Sequence, residues 1–198
     1  SSHIDFVPTM LSMAGVAPDR AADSAGRPLP GKDLSGLLAG PGNQAIDAAR
    51  PATLFTYSGL ASNDSAVFDF AAKAVMAGKD PKLEARQQGF KPDLRKRGHV
   101  RSAFDGRYRF TRYFAPVDHN SPATIDELFK WNDVELYDLA NDPGETDNLA
   151  LARAANAEVI TTMNAKLEAV IKSEIGKDDG HELPDIAGVT WGLDKVDL

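Results

Sequence analysis

Apolar residues along this chain recur with two periods, and the places where the period changes divide it into elements. Phe6, Met10 and Met13 fall on one face of a short helix over residues 5–14, with Leu11 and Ala14 beside them. Asp5 is placed to cap its start, Pro8 lies in the first turn where a missing N–H costs nothing, and Gly15 supplies the stop. So apolar and short a helix requires a host surface. Residues 16–51 follow without a period, broken throughout by Gly and Pro, and only DLSGLLAG has room for a helical turn or two. A stretch of this kind is expected to drape over a body of protein.

From Pro51 the pattern changes. PATLFTYSG reads as a strand, SAVFDFAAKAVMAG as a helix, and DPKLEARQQGF as a polar helical continuation or a loop. GHVRSAF and RYRFTRYF then read as two strands joined by Asp105-Gly106, the signature of a hairpin with a type I′ turn. Along the second strand Tyr108, Phe110 and Arg112 share one face, and Arg107, Arg109, Thr111 and Tyr113 the other. FAPVDHNSPATIDELFKWND is read as a connection between strands, and VELYDL as the next strand. In ANDPGETDN, Pro143 presets φ and Gly144 is permissive, so a turn is expected. Val159, Met163, Leu167, Val170, Ile171 and Ile175 then recur at helical spacing over roughly 152–175, and Gly176 ends the helix. The tail has no period and is expected to lie over the surface, anchored by Trp191. The fold class that follows is α+β, an antiparallel sheet of about four strands packed against a long C-terminal helix.

Composition narrows the function classes. A chain of 198 residues, 42% hydrophobic and 26% charged, has the make-up of a globular protein with a main core and a satellite. A net charge of -7 argues against nucleic acid as a partner, because neutralising phosphates needs a basic surface. The absence of cysteine excludes disulfides, thiolate metal sites and a cysteine nucleophile within this chain. No apolar run is long enough for a membrane-spanning helix, so no membrane partner is expected. The opening SSHIDFVPTM has neither an initiator Met nor a basic leader, and reads as a piece of a longer chain.

Candidate chemistry is sparse. G-x-S-x-G, H-E-x-x-H, P-loop and dinucleotide patterns are all missing, and His3, His99, His119 and His181 have no ligand-like spacing. Residues 91–114 hold eight Lys and Arg in an acidic chain. Arginine forks suit sulfate and phosphate oxygens, but alternating arginines on a hairpin fit the solvated face of a sheet better. If an anion pocket exists, His99 and Arg101, at a strand entry, are its candidate substrate-binding residues. The carboxylates of DLANDPGETDN fail the EF-hand pattern and suit a turn with a helix cap. His119 and Asn120, between two prolines, are the alternative candidates for a substrate loop.

One resemblance organises these pieces. VELYDLANDPGETDNLA resembles the C-terminal signature of type I sulfatases, a strand ELYDL followed by DP-E--NLA. SHIDFVPTMLSMAGV resembles the family's H-D-x-x-P-T-x-L-x-x-A-G helix, and LPGKDLSGLLAG its G-x-S-L-x-P-L-L loop. HVRSAFDGRYRFTRYF is similar to its R-x-x-R-x-G-x-Y-K-Y hairpin, with Arg109 where lysine is more usual. The four stretches fall in the family's order over residues 1 to 150.

The resemblance implies an alkaline-phosphatase superfamily enzyme. Residues 1–50 would be the end of the α/β catalytic domain, 51–176 the C-terminal sheet-plus-helix domain, and 177–198 an irregular tail. It also implies, for the parent, a formylglycine nucleophile made from Cys or Ser in C/S-x-P-x-R, and a calcium ion. This chain contains none of those motifs, so no catalytic or metal residue carries over and the chain is expected to be inactive alone. Its implied partner is the missing N-terminal catalytic domain, with self-association through the exposed docking face as a further expectation. The alternatives are a fragment of a related phosphodiesterase or phosphonate monoester hydrolase, or a free-standing interaction module.

Overall fold

The computed structural model describes residues 2–17, 20, 22–23, 26, 28–40, 42, 45, 47–59 and 64–178. Within them β1 (Thr53–Ser58), β2 (His99–Phe104), β3 (Tyr108–Phe114) and β4 (Asn132–Asp138) form one antiparallel sheet in the order β1-β2-β3-β4. Neighbours in space are neighbours in sequence. The helices are α1 (Phe6–Met13), α2 (Ser35–Ala39), α3 (Ser65–Met76), α4 (Pro81–Gln88), α5 (Ile125–Trp131) and α6 (Ala157–Glu174). None of the described helices is long and apolar enough to cross a membrane. The tail from residue 179, with Trp191 and His181, lies outside the described residues.

The chain divides into two compact units. The first combines Ser1–Phe55, Ser102–Phe110 and Glu135–Asp178. Here α6 buries Met163, Leu167, Val170 and Ile171 as its spacing predicts, with Ile160 buried in place of the expected Val159, while Ile175 is exposed. Each such side chain, removed from water, stabilises the unit by about 1.5–3 kcal/mol. Lys166 of α6 binds Asp105 at 2.5 Å and ties the helix to the hairpin turn. The helix starts later than its apolar period suggests, at Ala157. A 3-10 turn, Leu149–Ala152, intervenes because the Asn148 side chain caps it, accepting from Ala150 N. Gly176, at φ +97, ends α6 as expected.

The signature resembling sulfatases has a physical content here. The Asp138 carboxylate takes a two-pronged bond from Arg107 (Nε–Oδ1 3.0 Å, Nη2–Oδ2 2.7 Å) and one from Asn141. Asp142 accepts from the backbone N–H of Thr146 and Asp147, closing the turn. Asn148 Oδ1 also takes the N–H of Leu136, a group of edge strand β4. Asp138, Asp142 and Asn148 of the motif therefore satisfy backbone groups or fix a neighbouring strand. The residue at positive φ is Glu145 (+54), where Gly144 was expected. Glu145 is held there by an ion pair with Arg109.

The hairpin turn is also shifted. Gly106 is at φ +99 while Asp105 is not left-handed, so the expected type I′ pair is not formed. Asp105 instead accepts from the N–H groups of Arg107 and Tyr108 with its side chain, which replaces a left-handed backbone as the turn-maker.

At the start of the unit the expected burial is reversed. Asp5 and Thr9 are buried, while Phe6, Val7, Met10 and Met13 are each at least half exposed. Polar bonds dock this helix. Thr9 Oγ1 accepts from Leu34 N at 3.0 Å, and Asp5 accepts from Ser2 N and Lys32 N. Arg50 binds both Asp5 and Glu174, so the opening turn and the end of α6 share one buried guanidinium. Gly31 fits because its backbone lies on the Ile4 carbonyl, where any Cβ would collide.

The second unit combines Thr56–Arg101 with Thr111–Val134. In it DPKLEARQQGF is a separate helix, α4, neither a continuation of α3 nor a loop. Asp80 caps it, Pro81 opens it and Gly89, at φ +65, closes it. Asp64 caps α3 and also binds Asp93 N and Lys96. The stretch read as a connection holds a helix too, α5, entered by a capping box between Thr124 and Glu127.

Candidate functional site

Strand alternation brings together the residues that sequence spacing had left apart. On β2 the buried positions are His99, Arg101 and Ala103, and on β3 they include Phe110, Arg112 and Phe114. Within the second unit, Arg101 and Arg112 are both 0% exposed, and His99 is 2% exposed. Their centre is the Phe114 ring. The guanidinium carbons of Arg101 and Arg112 each lie 5.6 Å from its centroid, the range of a cation–π contact. His99 and His119 stand edge-on to the same ring at 5.3 and 5.1 Å, and 5.6 Å from each other.

The arrangement concentrates positive charge. Guanidinium groups stay protonated in proteins, so burial cannot neutralise them. Arg101 spends Nη1 on Tyr57 O (3.3 Å), Ser58 Oγ (3.3 Å) and Val100 O (3.1 Å), fastening β2 to β1. The two candidate residues, His99 and Arg101, are thus in one cluster, and His119 joins them by way of the 3-10 turn Pro116–Asp118. Asn120 bonds Asn132 Nδ2 at 3.0 Å, bracing the start of β4. His3 lies elsewhere, exposed on the opening turn.

The expectation of a solvated arginine face fails for Arg101 and Arg112, because they occupy the covered side of the pleat. It holds for the others. Arg107 pairs with Asp138 and Arg109 with Glu145 in the first unit, while Lys96 and Arg97 pair with Asp64 and Asp133 in the second. The bonds from Arg107 hold the Asp138 carboxyl down at about 2. Burial pushes the Glu174 carboxyl in the opposite direction, upward, against the pull of Arg50. Reasoning from sequence missed Phe114, and it missed the meeting of His119, named as a separate substrate-loop candidate, with His99 and Arg101. The Phe110-Arg112-Phe114 alternation was the available signal for the first, and no spacing rule pointed to the second.

Among the described residues no group of three or more His, Cys, Asp or Glu side chains could hold a metal ion. The Asp142 carboxylate is taken up by Thr146 and Asp147. The described residues therefore do not fit the calcium ion that the resemblance implies for the parent, and no step is derived through one.

No protein-family model matches the chain, and no curated protein does. Solved structures do match. One is a protein in complex with its substrate D-glucosamine-2-N,6-O-disulfate, at 18% identity and TM-score 0.51, over 88% of this chain and 24% of that one. Another, from Bacteroides thetaiotaomicron and assigned as a sulfatase, matches at 20% identity and TM-score 0.50, over 91% of this chain and 26% of that one. This chain shares the fold of part of a sulfatase. A third match is the phosphonate monoester hydrolase of Agrobacterium radiobacter, at 20% identity and TM-score 0.48, over 86% and 24%. The chain spans about a quarter of the length of each of these structures.

Proposed function

We propose that this chain is the C-terminal part of a sulfuric ester hydrolase, inactive alone, which buttresses a catalytic domain and borders its substrate cleft. In this reading residues 1–50 close the catalytic α/β domain and residues 51–176 form the sheet-plus-helix domain. The observation that carries the reading is the shared fold, over 88% of this chain, with a quarter of a protein solved with a sulfated sugar as its substrate. Two features support it. The four stretches that resemble the sulfatases keep the family's order, and α1 presents Phe6, Val7, Met10 and Met13 to solvent, an apolar face suited to a docking domain.

The nucleophile, a formylglycine, and the calcium ion belong to the missing domain in this proposal. When bound, the metal would supply Lewis-acid polarisation of the ester. The part proposed for His99 and Arg101 is to lend positive potential to the anionic ester. What supports this is the pair of buried guanidinium groups against Phe114, with His99 and His119 edge-on to the same ring.

The test is to express the chain with its in-frame upstream region and assay aryl sulfate and aryl phosphate hydrolysis. The longer protein should cleave the sulfate and the 198-residue chain should not. Arg101→Lys in the longer protein should raise KM several-fold with a smaller change in kcat. Preference for a phosphate or phosphonate ester would move the parent to the related hydrolases. No esterase activity at all would refute the enzymatic reading.

A further inference from the structure

Two buried carboxylates in the first unit share one guanidinium, and their surroundings differ. Arg50 binds Asp5 of the opening turn and Glu174 of α6, and none of the three side chains is more than 10% exposed. Asp5 also accepts from the backbone N–H groups of Ser2 (2.7 Å) and Lys32 (2.8 Å), so three donors meet its charge. Glu174 has the Arg50 bond alone among the described residues. It is also the last residue of α6, where the negative end of the helix dipole repels an anion.

Charge does not balance within this buried set. Two carboxylates face one guanidinium, and the other cation near Glu174, Lys32, is exposed and acts on it through space. A carboxylate so placed is relieved either by returning to water or by taking up a proton. A proton on Glu174 would leave Asp5 and Arg50 as a neutral pair and end the repulsion between the two carboxylates. The protonated group would still offer Arg50 an acceptor oxygen. We propose that Asp5, Arg50 and Glu174 form a proton-tightened clasp, in which proton uptake by Glu174 strengthens the tie between the opening turn, with α1 continuing from it, and the end of α6. Burial above all, and Asp5 with it, pushes the Glu174 carboxyl upward against the pull of Arg50 and Lys32. Release of the clasp returns Glu174 to water and to its ordinary value. The clasped form therefore binds the proton more tightly. Its stabilisation is fully present below the ordinary glutamate value and is lost as pH rises through the raised one. The inference is independent of the sulfatase reading.

Amide hydrogen exchange on the 198-residue chain, corrected for the intrinsic rate at each pH, reads the clasp directly. Protection of residues 4–14 should rise several-fold as pH falls from neutral toward the ordinary glutamate value, while the buried middle of α6, residues 163–167, should keep its protection. Glu174→Gln, uncharged at every pH, should show the acid level of protection over 4–14 already at neutral pH. Carbon-13 NMR of the Glu174 carboxyl should place its titration above the ordinary value, and Asp5→Asn should move it down. That shift is readable even where Asp5→Asn loosens the opening turn. Four results would overturn the proposal: a Glu174 carboxyl titrating at or below the ordinary value, one unmoved by Asp5→Asn, protection over 4–14 that is the same at every pH, or a Glu174→Gln chain that keeps the parent's pH dependence there.

Discussion

Arginines three to eight residues apart on the hairpin end in opposite circumstances. Arg101 and Arg112 are fully buried against Phe114, whereas Arg107 and Arg109 lie at the surface, each held by one carboxylate. Residue type is the same, and Arg109 and Arg112 lie on one strand, β3. What differs is position in the pleat, because successive side chains alternate between the covered and open faces. Both buried guanidinium groups lie against the Phe114 ring, and Arg101 also donates to the Tyr57 and Val100 carbonyls, a geometry that truncation cannot leave intact. The exposed pair orders a turn and an edge strand, and water replaces much of what a mutation removes.

The contrast is broken most severely at buried cations. Arg50→Ala would leave Asp5 and Glu174 without their shared partner, and should cost about 3–5 kcal/mol in chemical denaturation. Arg101→Ala should cost about 3 kcal/mol, because the Tyr57 and Val100 carbonyls lose a donor and the site loses volume. A loss no larger than that of Arg109→Ala would show that burial is not what separates the two sets.

The exposed set should reveal itself through pH. Asp138, depressed to about 2, contributes stability that is present above the unfolded carboxylate value and lost as pH falls through its folded value. Arg107→Ala should therefore lower stability at neutral pH by a modest amount, with the difference from the parent fading between about pH 4 and 2. Glu174 has the opposite sign. Its carboxyl is raised by burial, so its contribution is present at low pH and lost as pH rises through the raised value. Glu174→Gln should be neutral or stabilising at pH 7, with any gain disappearing on acidification. Arg109→Lys should be the smallest change, within about 0.5 kcal/mol, as an exposed ion pair is kept.

The same physics explains what was legible in the sequence. The four strands and α6 follow from periods of two and 3.6 that are long enough to count. Burial of Arg112 was implicit in its alternation with Phe110 and Phe114. The Thr124–Glu127 capping box announced α5, and Asp80-Pro81 announced α4, though each helix is too short and polar to register as a period. Exposure of Phe6, Met10 and Met13 could not be read, because a helical face shows where apolar groups lie and not what covers them. Nor could the meeting of His99 and His119, which depends on how the turn at Pro116–Asp118 directs the chain.

The central claim is that this fold is one part of a hydrolase whose chemistry lies upstream. Reading the coding sequence in frame before Ser1 tests it most directly. The account predicts a C/S-x-P-x-R element together with paired aspartates. A start codon within a few residues of Ser1 would contradict it, and would leave a free-standing module with the fold of a sulfatase's C-terminal part.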